Sequence, residues 1–238
     1  MKLTFSDERV LAVMAHPDDA ELLCAGTLAR AHADGAAAIG LCVMCQGDKG
    51  APAGELGNTT SQIRQREAAE AAKLLPASLL WFDAPDGELF DAYEQRRKLI
   101  EIFRQFRPTL VITHCPEDYH PDHRATYAIA EAATWMASSR GHLTASPAIP
   151  TPPALWLADS VAMTGFAPEF YVDVTAHVET KQQMLQRHRS QLLRGRDSDF
   201  SPLADLMLNQ CRSRGEQSGV NASEAFRQHH AFKRTRAW

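Results

Sequence analysis

Short apolar runs separated by stretches of helical spacing dominate the first half of the chain. Val10 to Met14 is apolar throughout and reads as a strand buried on both faces, as does Ala38 to Met44. Between them, from Asp18 to about Ala33, the positions Leu22, Leu23, Gly26, Leu28 and Ala29 recur at helical spacing, and Asp34-Gly35 supplies a stop. The alternation continues with a helix over Thr60 to Leu75, a strand at Leu79 to Phe82 and a turn at Pro85-Asp86-Gly87. A helix over Tyr93 to Phe106 follows, with Leu99, Ile100, Ile102, Phe103 and Phe106 as its apolar side. Pro108 breaks it, Leu110 to Thr113 is a fourth strand, and a further helix runs to about Ser138. Strands alternating with helices of this length predict an α/β protein with a Rossmann-like, open, mostly parallel sheet flanked by helices.

The second half is less regular. Residues 140–170 open on a Ser/Pro/Ala-rich stretch and read as a connecting or lid segment, with Leu155 to Leu157 and Phe170 to Val174 adding strands at a sheet edge. Thr175 starts a helix through Val178, Met184, Leu185, Leu192 and Leu193. Residues 199–238 read as a polar C-terminal extension with a helical segment, Leu203 to Cys211, and a basic end at Lys233, Arg234 and Arg236. No repeat or composition break marks a second domain, so residues 1–238 read as one.

Composition narrows the function classes. A chain of 238 residues, 45% hydrophobic and 23% charged, has enough apolar material for one sizeable core. A formal net charge of −4 argues against a nucleic-acid partner. No apolar run approaches the ~20 residues that span a bilayer, so no membrane insertion is expected. Met1 to Val10 lacks the apolar core of a signal peptide, which points to a cytoplasmic protein. The five cysteines, Cys24, Cys42, Cys45, Cys115 and Cys211, are odd in number and scattered, and no disulfide framework follows. Cys42 and Cys45 have redox spacing but lie inside an apolar strand pattern, so buried thiols are the better reading.

The candidate chemistry lies in two polar clusters, each at a strand-to-helix junction. The first is Ala15-His16-Pro17-Asp18-Asp19-Ala20 and the second runs from His114 to His123 as His-Cys-Pro-Glu-Asp-Tyr-His-Pro-Asp-His. Pro and Asp also suit ordinary helix starts, so either stretch alone could be a capping sequence. Two such clusters at the carboxyl ends of parallel strands are another matter, because open α/β sheets bind their ligands there. Adjacent carboxylates repel unless a cation or a tuned proton sits between them. His16, Asp19 and His123 can supply the three protein ligands of a catalytic zinc site with one position open. Asp18 is then free to act as general base and His120 to face a developing oxyanion, with Asp122 orienting that imidazole. Iron(II) or another divalent ion suits the same donors. The Gly-rich loop Gln46 to Gly54 lacks the spacing of a phosphate-binding loop and reads as a wall of the site.

The pairing of these two motifs resembles the LmbE/PIG-L family, the N-acetylglucosaminyl deacetylases. The similarity extends to Gly47-Asp48-Lys49-Gly50, to Arg64 with Glu67, to His188-Arg189-Ser190-Gln191 and to Glu224-Ala225-Phe226. The resemblance implies a zinc-dependent hydrolase on a Rossmann-like fold that deacetylates an N-acetylated amino sugar or its glycoconjugate, in a homo-oligomer. It implies metal ligands at His16, Asp19 and His123, Asp18 as base, and His120 with Asp122 at the oxyanion. Arg64 falls where family members contact substrate, and Asp48, Tyr119 and His188 are further candidates for such contacts. Each has a plain structural alternative: an Arg64–Glu67 helix pair, a loop cap at Asp48, packing at Tyr119 and a structural role for His188. Rival functions are another amide or ester hydrolase or a phosphoesterase on the same metal, a degenerate metal scaffold, and a non-catalytic nucleotide-binding protein. The last lacks the G-x-G-x-x-G that pyrophosphate binding uses.

Overall fold

The computed structural model describes residues 4–50, 58–194 and 202–230. The end of the Gly-rich loop and the basic end at Lys233, Arg234 and Arg236 lie outside the described residues. Seven strands form one sheet: β1 (Arg9–Met14), β2 (Ala38–Cys45), β3 (Ser78–Ala84), β4 (Leu110–Thr113), β5 (Ala154–Ala158), β6 (Phe170–Asp173) and β7 (Ser223–Gln228), in the order β3-β2-β1-β4-β5-β7-β6. The first five pair in parallel, while β7 pairs antiparallel with β5 and β6.

The central strands are buried on both faces, as their continuous apolar runs require. Along β1, Val10, Ala12 and Met14 pack with one set of helices, and Leu11 and Val13 with the other. The first face carries α1 (Asp19–Leu23), α2 (Ala25–Ala33), α3 (Asn58–Ala72), α6 (Val178–Leu185) and α8 (Leu203–Ser218). The second carries α4 (Tyr93–Phe106) and α5 (Pro121–Met136). A six-residue helix, α7 (Arg189–Arg194), follows α6.

Three expectations are revised. The helix expected from Asp18 to Ala33 is two helices, broken at Cys24 (φ −147°, ψ 4°). The amides of Gly26 and Thr27 donate to the Glu224 carboxylate at 2.9 and 2.7 Å, which caps the second helix from across the sheet. Gly26 permits the approach, since a Cβ there would lie 2.8 Å from Val174. The C-terminal extension contains an interior strand as well as a helix: β7 inserts between β5 and β6 and leaves β6 as the edge. The early part of the segment expected as a lid is tied to α4. Arg104, 5% exposed, donates to the carbonyls of Ala137, Ser139 and Ser146, and Glu101 accepts from Ser146.

All five cysteines are buried free thiols. No helix among the described residues is long and apolar enough to cross a membrane.

Candidate active site

The chain reverses direction across the sheet between β1 and β4, which are neighbours. The loops that leave their carboxyl ends therefore face each other, at the point where open α/β sheets bind ligands. A cavity of about 490 Å³ opens there, lined by residues that include His16, Asp18, Asp19, Arg64, Tyr119, His120, Asp122 and His123.

Asp19 is the hub. Its Oδ2 accepts the His16 backbone N–H at 2.7 Å and lies 3.4 Å from His16 Nδ1 and 3.3 Å from His123 Nε2. Ring nitrogens of His16, His120 and His123 also come within 4.8 Å of one another, as do ligand atoms of Asp19, His114 and His123. His114 is fully buried, and its Nε2 accepts the Ala15 N–H at 3.0 Å. That acceptor role spends the lone pair a metal would need. Burial, with His123 beside it, lowers the His114 pKa to about 4.

The remaining ring nitrogens of the two candidate ligand histidines face carboxylates. His16 Nε2 is 3.2 Å from Asp122 Oδ2, and His123 Nδ1 is 3.0 Å from Asp118 Oδ1. Such partners orient metal-binding imidazoles and fix which nitrogen is free. Burial works against charge on both rings, but Asp122 and Asp19 raise His16 to about 10, and Asp19 with Asp118 raises His123 to about 9. Asp19 itself is held well below the usual carboxylate range: burial opposes its charge, and His123 and His16 outweigh it. The cluster demands positive charge at its centre, and a divalent cation on N/O donors satisfies that demand.

Asp122 sits differently from the sequence expectation. Its carboxylate is 3.9 Å from His120 Nδ1, but accepts the Gly87 N–H at 2.8 Å and faces His16. What meets His120 Nδ1 is the Asp122 backbone N–H, at 3.2 Å. That nitrogen is then an acceptor, which puts the ring proton on Nε2. Burial lowers the His120 pKa, with His16 and His123 adding to the effect. At neutral pH His120 is therefore a neutral Nε2–H donor on the cavity wall.

Asp18 occupies the left-handed region at φ 116°, a strained placement for a residue with a side chain. Arg64, 4% exposed, holds it there: Nη2 donates to Pro17 O at 2.5 Å and to Asp18 Oδ2 at 3.2 Å, and Nη1 to Gly47 O at 3.3 Å. Gly47 (φ 70°) cannot be replaced cheaply, because a Cβ would lie 2.7 Å from the Arg64 side chain. Burial raises the Asp18 pKa to about 6, against the lowering pull of Arg64. A buried carboxylate tuned towards neutrality is what general-base work calls for.

The other candidates separate. Asp48 Oδ1 accepts the Asp86 N–H at 2.9 Å, and Asp86 Oδ1 accepts the Gly47 N–H at 2.7 Å, so Asp48 is a loop cap outside the lining. Tyr119 is 63% exposed at the rim, its ring edge-on to His120 and His123. His188 is fully buried behind the site, with Nε2 3.4 Å from Glu21 Oε1. Asp118 and Glu21 had no role in the sequence reading. Asp118 was detectable as a third acid in the second cluster. The amide of Gly87 was not, because only the placement of β3 two strands away from β1 brings it to Asp122.

An α/β protein with a buried His/Asp cluster at its switch point, of donors that could hold a metal ion, is the class these features define. Within that class, a family model described as PIG-L, GlcNAc-PI de-N-acetylase, matches residues 11–134, and the chain belongs to this family. It is similar to the conserved protein TT1542 from Thermus thermophilus (31% identity, 93% of this chain and 94% of that one, TM-score 0.80). It is also similar to the N,N'-diacetylchitobiose deacetylase from Pyrococcus horikoshii (25% identity, 92% and 83%, TM-score 0.80). A 4-oxalmesaconate hydratase from Pseudomonas putida is 25% identical over 184 residues, 74% of this chain and 71% of that protein.

Proposed function

We propose that this protein is a metal-dependent N-deacetylase acting on the acetamide of an N-acetylated amino sugar or its conjugate. The observation that carries the reading is the placement of Asp18: a buried carboxylate held by Arg64, beside the Asp19, His16 and His123 cluster and in the wall of the same cavity. His16, Asp19 and His123 are the residues that would hold the ion, zinc by preference and iron(II) as the alternative. Once bound, such an ion supplies Lewis-acid polarisation of the amide carbonyl and a more acidic water. Asp18 accepts the proton of the attacking water and returns it to the nitrogen of the leaving amine. His120 donates its Nε2–H to the carbonyl oxygen as negative charge develops there. Asp122 and Asp118 hold the rings of His16 and His123, and Arg64 holds the base. The deacetylase from Pyrococcus horikoshii supports the substrate class. Five free buried thiols suit a reducing compartment, so the cytoplasm is the proposed location. A homo-oligomer belongs to the same reading, and light scattering tests it.

Hydration of an unsaturated oxo-acid is a second reading, favoured by the Pseudomonas putida relative. The same base and donor would add water across a carbon–carbon double bond. Against it, four carboxylates line the cavity, Asp18, Asp19, Asp86 and Asp122. Of the described cations there, Arg64 is engaged by Pro17, Asp18 and Gly47, and Lys49 by Asp86 and Glu88. With both side chains committed, no described lysine or arginine of the lining is left to pair a substrate carboxylate, whereas a neutral amide asks for none.

The test is acetate release from N-acetylglucosamine and its oligomers by the zinc-loaded protein, with metal content measured beside it. His123→Ala is expected to lose both metal and activity. Asp18→Asn is expected to keep the metal and lose about 10²–10⁴-fold in kcat. Full turnover by Asp18→Asn removes Asp18 as the base, and loss of an oxo-enoate chromophore without acetate release selects the hydratase.

A further inference from the structure

The turn after α6 and the first residues of α7 reach three parts of the site, and the proposed deacetylation uses none of them. His188 faces Glu21 on α1, two residues beyond Asp19. Ser190 donates its backbone N–H and its hydroxyl to the two oxygens of Glu67 at 2.8 and 2.6 Å. Glu67 lies on α3 three residues after Arg64, so this grip bears on the helix that holds the base. Gln191, 6% exposed, lines the cavity.

A glutamine amide donates at one end and accepts at the other. Gln191 Nε2 donates to Gly50 O at 2.8 Å and lies 3.3 Å from Ser190 Oγ. Both amide hydrogens then have partners, which leaves Oε1 as the group of this lining residue with free acceptor capacity to offer a ligand. An amide oxygen has no hydrogen to offer an anion and accepts one from a hydroxyl or an amide. Leu22, Val161, Leu203 and Leu206 give the same cavity an apolar side. The combination of a fixed acceptor and an apolar side matches a sugar ring, which carries hydroxyls at its edge and C–H groups on its faces.

We propose that Gln191 is a substrate-contact residue that accepts a hydrogen bond from a hydroxyl of a polyhydroxylated ligand, with the Ser190–Glu67 contact as its strut. The inference rests on the deacetylase reading for the acetamide, while the hydroxyl contact is tested separately by binding.

The experiment compares zinc-loaded wild type with Gln191→Leu, using calorimetric titration of N-acetylglucosamine and of glucosamine, acetate-release kinetics, and hydrolysis of p-nitrophenyl acetate, an acetyl ester without hydroxyls. The leucine variant is expected to bind both sugars about tenfold more weakly and to raise KM about tenfold, with kcat within about threefold. Its ratio of sugar to ester activity is expected to fall about tenfold as well. Equal sugar binding by wild type and variant overturns the proposal, as does an equal loss on sugar and ester, the mark of a merely structural residue. Wild type that binds the sugars and releases no acetate defeats the deacetylase reading and leaves Gln191 to be judged by the binding ratio. Wild type that binds neither sugar overturns the hydroxyl contact outright. If the leucine variant does not fold, Gln191→Ala, which places no apolar bulk against Gly50, is read by the same criteria.

Discussion

Arg64 and Asp18 form a buried pair whose charges act on each other over 3.2 Å. The Asp18 carboxyl is raised to about 6 by burial, and the guanidinium is the largest influence pulling the other way. Removing it in Arg64→Met leaves the burial effect unopposed, so the pKa moves further up. Because the ionised form is the base, the acid limb of kcat/KM is expected to shift to higher pH in the variant, with a lower rate at pH 7. A pH profile checks this, and an unmoved acid limb would separate Asp18 from the rate. At this scale the sequence was informative where donor type decides the role. His16, Asp19 and His123 are legible as a candidate ligand set because few other functions gather such residues at two strand ends, and the structure brings the three side chains together. The partner of Asp122 was not legible, since His16 and His120 are both within reach of it. The choice between them is made by the Gly87 amide, a backbone group with no sequence signature.

The α-helices and parallel strands up to Met136 were largely readable as elements, because burial on both faces of a sheet imposes continuous apolar runs. β7 was not. Ser223–Gln228 carries Glu224 and Arg227 and reads as polar, yet it lies inside the sheet. Glu224 is buried in service of other elements: it accepts from Gly26, Thr27 and, at 2.5 Å, from the fully buried Lys181 on α6. One carboxylate thus joins β7, α2 and α6 and caps α2 just after the break that a periodicity argument ran through. Breaking such a pair leaves an uncompensated buried charge. Glu224→Leu is expected to cost about 3–5 kcal/mol of stability. The double variant Glu224→Leu, Lys181→Met is expected to recover part of that loss. Denaturant unfolding of the four proteins of this cycle provides the measurement. Additive costs would show that Lys181 and Glu224 do not interact in the folded state.

The site as a whole spans elements far apart in the chain, because its candidate ligands come from the strand-to-helix junctions after β1 and β4, with Asp118 and Asp122 behind them. Gathering that many acids and imidazoles in one place opposes folding unless charge is balanced, so a cation held by His16, Asp19 and His123 is also a cross-link of the sheet's two halves. A ligand that binds only the native state stabilises it by RT ln(1 + [L]/Kd), about 4 kcal/mol at a thousandfold excess over Kd. For a chain of this size that corresponds to a rise of roughly 8–16 °C in Tm. Wild type stripped with a chelator is therefore expected to melt lower by that order and to recover when zinc is restored. His123→Ala, which removes a ligand, is expected to melt at the same temperature with and without chelator. Asp18→Asn separates the two properties, since it should respond to zinc as wild type does and yet fail to turn over. Differential scanning calorimetry on the three proteins decides the matter. A wild-type Tm indifferent to both chelator and zinc would mean that the cluster balances its charge with protons alone, and the hydrolytic reading would lose its foundation.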